Sequence, residues 1–99
     1  MAIETTVFDF RISKSFDEWA KTFDSDENKN MLKAGGITPL YRGLSKEDPL
    51  RVIVIFQAEE GVAMKMFNDP KAKEMIEASG HIYDQTTITH WKWATSYPS

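Results

Sequence analysis

The chain has 99 residues, no cysteine, a formal net charge of −3 and an ordinary globular balance of 41% hydrophobic and 27% charged side chains. That length makes one domain, and the missing cysteines exclude disulfides, thiolate metal sites and a cysteine nucleophile. Lys and Arg are scattered among acids, which argues against nucleic acid or an anionic membrane as partner. The opening Met1-Ala2-Ile3-Glu4 has no basic or apolar leader character, and no apolar run reaches membrane length, so a cytoplasmic protein is expected.

Thr5–Ser13 reads as a first strand, because Phe8, Phe10 and Ile12 alternate with Val7, Asp9 and Arg11. Ser15 is placed as an N-cap, with Glu18 three residues on completing a capping box. Phe16, Trp19, Ala20 and Phe23 then recur at helical spacing. Residues 24–34 are polar until Met31 and Leu32. They read either as a second short helix after a break near Asp24–Ser25 or as a surface loop, and Gly35-Gly36 closes the stretch.

Ile37–Leu44 is a second strand, and Pro39 within it calls for an edge position. The polar turn 45–49 leads into a third strand, Leu50–Gln57, whose two faces are both apolar: Val52, Val54 and Phe56 on one, Ile53 and Ile55 beside Arg51 on the other. Helical signals resume at Glu59 with Val62, Met66 and Phe67 as an apolar face. Asp69-Pro70 restarts a helix as N-cap and first helical residue, Ala72, Met75, Ile76 and Ser79 form its buried side, and Gly80 closes it. A last strand, Gln85–Thr95, sets Trp91 and Trp93 with Thr89 and Thr95 on one face and Ile88, His90 and Lys92 on the other. Tyr97-Pro98-Ser99 is a tail.

The order βαββαβ, with right-handed crossovers, gives an α+β, ferredoxin-like fold: a four-stranded antiparallel sheet with helices on one face and the first and third strands central. The other face would carry Val7, Asp9, Arg11 and one apolar set of the third strand. An exposed apolar sheet of that extent is a liability for a monomer, and a two-fold homodimer that pairs the two sheets removes it.

Here the chain resembles the dimeric α/β-barrel branch of the ferredoxin-like fold, in which two such sheets pack into a barrel. Within that group, ITPLYRGLSKEDPLRVIVIFQA, Asn68-Asp69-Pro70 and Ala78-Ser79-Gly80-His81-Ile82 are similar to small uncharacterised marine bacterial proteins. The group includes cofactor-independent monooxygenases of polyketide biosynthesis, haem-degrading monooxygenases, stress-responsive barrel proteins and lactone isomerases. The resemblance spans nearly the whole chain, and its motifs are structural, so it implies a fold rather than a reaction.

Several side chains are candidates for chemistry. His81 follows the helix-ending Gly80, where it either caps the helix or borders a cavity mouth. His90 alternates with Ile88 and either lines the barrel or reaches solvent. Asp9 and Arg11 share a face of a central strand; they form a structural ion pair across the dimer, or Arg11 holds a carboxylate or phosphate. Tyr41 and Arg42 lie on opposite faces of the second strand, so at most one enters a given cavity, and Arg51 can pair with Glu47 or Asp48. Trp91 and Trp93 pack in a core or interface, or form a platform. Met64, Met66 and Met75 fill a core or suit a lipid-like ligand.

No phosphate loop, HExxH or nucleophile elbow is present, and neither a metal nor a cofactor is expected. Haem-degrading members of the resembled group carry their histidine in a helix, which His81 could supply only if the second helical region ran past Gly80. The leading expectation is a dimer binding a small, mainly apolar molecule between sheet and helices or inside the barrel. Its polar end, possible as a carboxylate, would meet Arg11, Tyr41, Arg42, His81 or Trp91. Cofactor-independent oxygenase, isomerase or lyase chemistry with His81 or Asp9 as general base is the alternative. A ligand-free interaction module is the third.

Overall fold

The structure, a computed structural model, describes residues 2–92. In β1, Ile3–Ile12, burial alternates: Thr6, Phe8, Phe10 and Ile12 are buried, while Val7, Asp9 and Arg11 are half-buried on the opposite face. β2 spans Thr38–Leu44, β3 Arg51–Glu59 and β4 His81–Lys92, and the sheet order is β2-β3-β1-β4. All pairings are antiparallel, and the order places β1 and the doubly apolar β3 at the centre. Phe8 stands opposite Val54 and Phe10 opposite Val52, which puts the buried sets of both strands on one side.

That side carries the helices. α1 spans Phe16–Phe23, α2 Asp26–Ala34, α3 Val62–Phe67 and α4 Pro70–Ala78. Ser15, Ser25 and Asp69 each accept a hydrogen bond from a first-turn N–H, at Glu18, Asn28 and Lys71 respectively. The Ser25 cap decides between helix and loop for residues 24–34: it starts a new helix one turn after α1 ends. Asn28 ties the break shut by donating from Nδ2 to the Phe23 carbonyl at 2.7 Å. Phe8 meets Phe56 edge-on at 5.5 Å, and Trp19 lies between Phe10 at 5.7 Å and Phe23 at 4.9 Å.

The structure moves two boundaries. β3 continues to Glu59, and the turn into α3 is made at Gly61, whose φ of 83° suits glycine. β4 starts at His81, four residues ahead of the predicted Gln85, because Gly80 (φ 97°) reverses the chain and its carbonyl accepts from Ser13 N–H at 2.7 Å. The strand then leaves the ladder: Ile12 faces His81, while Phe10 faces Thr86. Residues 82–85 bulge outward, and this excursion hid the strand start from period-two reading. Trp93, Thr95 and the tail at 97–99 lie outside the described residues.

The far face of the sheet bears no helix. Val7, Ile53 and Ile55 form its centre, flanked by Tyr41 and Trp91, each 58% exposed. The Tyr41 ring lies flat over Gly43, where a Cβ would stand 2.8 Å from the phenol oxygen.

Candidate functional site

Between sheet and helices lies a narrow apolar cavity of about 60 Å³. Phe8, Phe10, Val54 and Phe56 form its floor, Trp19, Phe23 and Leu32 one wall, and Met66, Phe67 and Met75 the other. Its polar contributors are Thr22, Asn28, Ser79 and His81. Outside it, a groove of about 970 Å³ runs between α2 and the pair α3–α4. Thr22, Met31, Met66 and Met75 line both spaces, so three methionines stand between the groove and the buried cavity. All three are half-buried. Unbranched thioether side chains can change rotamer without breaking a hydrogen bond, so this partition is the most yielding part of the wall.

His81 closes the inner end. The β4 bulge brings it to Thr86, with Nε2 and Oγ1 2.7 Å apart, and its ring stacks on Phe10 at 3.7 Å with planes 3° apart. Tyr83, inside the bulge, stacks on Phe67 at 4.4 Å and donates to the Phe67 carbonyl at 2.6 Å, pinning the excursion to α3. Burial pushes the imidazole down to about 4, so His81 is neutral at pH 7. Among the described residues its Nδ1 has no hydrogen-bond partner, and no fully buried side-chain nitrogen or oxygen there lacks one. The Nδ1 atom therefore keeps some accessible surface, on a ring that lines the cavity.

The remaining expected site residues do not converge on His81. Asp9 and Arg11 both lie on the helix-free face, and within the chain each has a partner of its own. Asp9 receives two hydrogen bonds from Arg51, at 2.9 and 2.7 Å, and Arg11 pairs with Asp48. Cross-strand geometry makes the first pairing: Arg51 of β3 reaches diagonally to Asp9. The Arg51 hydrogen bonds hold the Asp9 carboxyl below its ordinary value, which leaves it ionised and occupied. Asp48 is likewise lowered, first by the Leu50 N–H and then by Arg11.

Tyr41 and Trp91 share the helix-free face, where Trp91 Nε1 donates to Thr89 at 2.9 Å. Arg42 is on the helix side, but it pairs with Asp24 at 2.6 Å and lies 5.6 Å from the Phe23 ring centre, at the outer edge. Of the residues expected to hold a polar end, only His81 lines the cavity, and its neutrality disfavours a carboxylate there. His81 also sits in a strand, since α4 stops at Ala78, so the helical placement that the resemblance to haem-degrading proteins called for is not reproduced. His90 lies at the far end of the sheet, 3.1 Å from the Thr6 hydroxyl and 3.4 Å from Glu4.

Met31, Asn28 and Thr86 were not singled out from the sequence as site residues. The methionine spacing hinted at an adaptable wall, but nothing local marks Thr86 as the partner of His81. Among the described residues, no three His, Asp or Glu side chains converge to hold a metal ion, and no helix is long and apolar enough to cross a membrane.

Three solved structures share this arrangement. A nipsnap family protein of unknown function from Agrobacterium tumefaciens superposes with a TM-score of 0.67 at 12% identity, over 98% of this chain and 93% of that one. A dimeric ferredoxin-like protein from an uncultured marine organism gives 0.57 at 9% identity, over 100% and 94%. SnoaB, a cofactor-independent oxygenase from Streptomyces nogalater, gives 0.56 at 12% identity, over 99% and 97%. These likenesses establish the ferredoxin-like α+β fold. No curated protein matches the chain in sequence. Residues 3–93 match the family described as a domain of unknown function, DUF3764, and the chain belongs to that family.

Proposed function

We propose that this protein is a homodimer that binds a small, mainly apolar molecule in the cavity between its sheet and its helices. The observation that carries the reading is the continuity of cavity and groove across Met31, Met66 and Met75. At about 60 Å³ the closed cavity is far below the roughly 300 Å³ of a typical ligand pocket, so binding requires those methionines to swing aside. The outer groove provides the volume into which they and the ligand's exposed end can move. Each methylene transferred from water into such a space contributes about 0.8 kcal/mol, which suits an apolar body.

Support for the homodimer comes from the helix-free face. Val7, Ile53 and Ile55, with Tyr41 and Trp91 beside them, make an apolar patch rimmed by the Asp9–Arg51 and Arg11–Asp48 pairs. A second copy offers a surface of the same chemistry, and a protein of this fold is described as dimeric. Catalysis on the bound molecule is a second reading. It is favoured by the neutral, open Nδ1 of His81 and by the likeness to a cofactor-independent oxygenase. Asp9, on the other face and engaged by Arg51, is not part of it.

Native mass spectrometry of the protein purified without added ligand tests both parts. The expected spectrum shows a two-chain mass with an additional small-molecule mass. A single-chain mass with nothing added contradicts the reading. Incubation of the loaded protein in air separates the two modes of action: an unchanged adduct mass favours binding, and a gain of oxygen favours oxygenation.

A further inference from the structure

We infer that His81 makes the cavity selective for neutral ligands that donate a hydrogen bond, such as an alcohol or a phenol, over carboxylates with the same apolar body. This deepens the proposed function and rests on the cavity being the binding site.

The inference follows from how the β4 bulge distributes protons. Thr86 Oγ1 lies 2.7 Å from His81 Nε2 and 3.4 Å from the Ile82 carbonyl. In this assignment the Thr86 hydroxyl proton is directed to the Ile82 carbonyl, which only accepts, and Oγ1 accepts from Nε2–H. The proton on Nε2 leaves an unprotonated Nδ1 on a ring that lines the cavity. Phe10 on one side of the ring and Phe67, 5.9 Å away, hold the imidazole in an apolar setting, with no charged side chain among those lining the cavity. A lone pair in such a place accepts a proton-bearing group. It repels a carboxylate, which would bring a buried charge with no cation to meet it.

Three probes with one apolar body separate the terms: naphthalene, 2-naphthol and 2-naphthoate, titrated at pH 7 into the full-length protein and followed by backbone amide shifts. The hydroxyl should tighten binding roughly five- to tenfold over naphthalene, the usual contribution of one net hydrogen bond, and the carboxylate should weaken it. In His81→Phe the ratio of naphthol to naphthalene affinity should fall to about one. Naphthoate binding tighter than naphthol, or an advantage that survives His81→Phe, overturns the inference while leaving the cavity reading intact. Failure of all three probes removes the cavity reading and this inference with it.

A ligand-free readout stands beside these. The imidazole 15N spectrum at pH 7 should show Nδ1 of His81 unprotonated and Nε2 protonated. In Thr86→Val, which removes the acceptor, that preference should shrink together with the naphthol advantage. A protonated Nδ1 in the unsubstituted protein overturns the assignment.

Discussion

Burial of His81 makes a quantitative prediction about stability. The unfolded chain protonates this imidazole near 6.5, the folded chain only near 4. As pH falls through 6.5 the unfolded state binds the proton first, so stability is full above 6.5, declines between 6.5 and 4, and levels off below. At about 1.4 kcal/mol per pH unit the loss integrates to about 3 kcal/mol, or on the order of 10–20 °C in Tm for a domain of this size. Asp9 and Asp48, whose carboxyls are held below 3.8 in the folded chain, add their losses only from about pH 5 downward, and do so alike in the parent and in a His81 variant. The assay is urea unfolding followed by tryptophan fluorescence at pH 7 and pH 4, on the unsubstituted protein and on His81→Phe. The phenyl ring fills the same place between Phe10 and Phe67 and cannot titrate. The variant should lose about 3 kcal/mol less than the parent between the two pH values. Parallel losses in the two proteins would refute the claim that His81 is buried neutral.

Phe10→Ala removes a ring that touches both Trp19 and His81 and should cost about 3–5 kcal/mol in chemical denaturation; less than about 1 kcal/mol would mean the core packing is misassigned. Ile55→Lys places a charge at the centre of the helix-free face, opposite Val7. It should weaken the proposed dimer at least about a hundredfold by light scattering over a dilution series, and an unchanged association would contradict pairing through this face. Gly80→Ala forces a side chain into φ 97° at the turn that launches β4, and should lower stability by about 1–3 kcal/mol; no loss would show that the turn relaxes.

The fold was legible because its signals are periodic. Strict alternation in β1 and β3, a proline in β2 and serine or aspartate caps before three of the helices lead to one topology, and each device acts within a few residues of itself. The site was less legible because it arises from departures from periodicity. The bulge at 82–85 aligns His81 with Thr86, five residues apart, and no local pattern announces that alignment. Asp9 and Arg11 drew attention as neighbours on one strand, yet their partners, Arg51 and Asp48, come from β3 and the turn before it. Arg42, placed with Leu40 and Leu44 by the strand pattern, extends its guanidinium over Phe16 and Phe23 to Asp24.

The central claim, that a small apolar molecule enters between Met31, Met66 and Met75, is tested most directly by methyl NMR of protein labelled at methionine, with naphthalene as probe. Met64 neighbours the same core but lines neither the cavity nor the groove, and serves as an internal control. The account predicts ring-current shifts at the methyls of Met31, Met66 and Met75, saturating together, with Met64 unmoved. Shifts absent from those three, or spread equally to Met64, would contradict it.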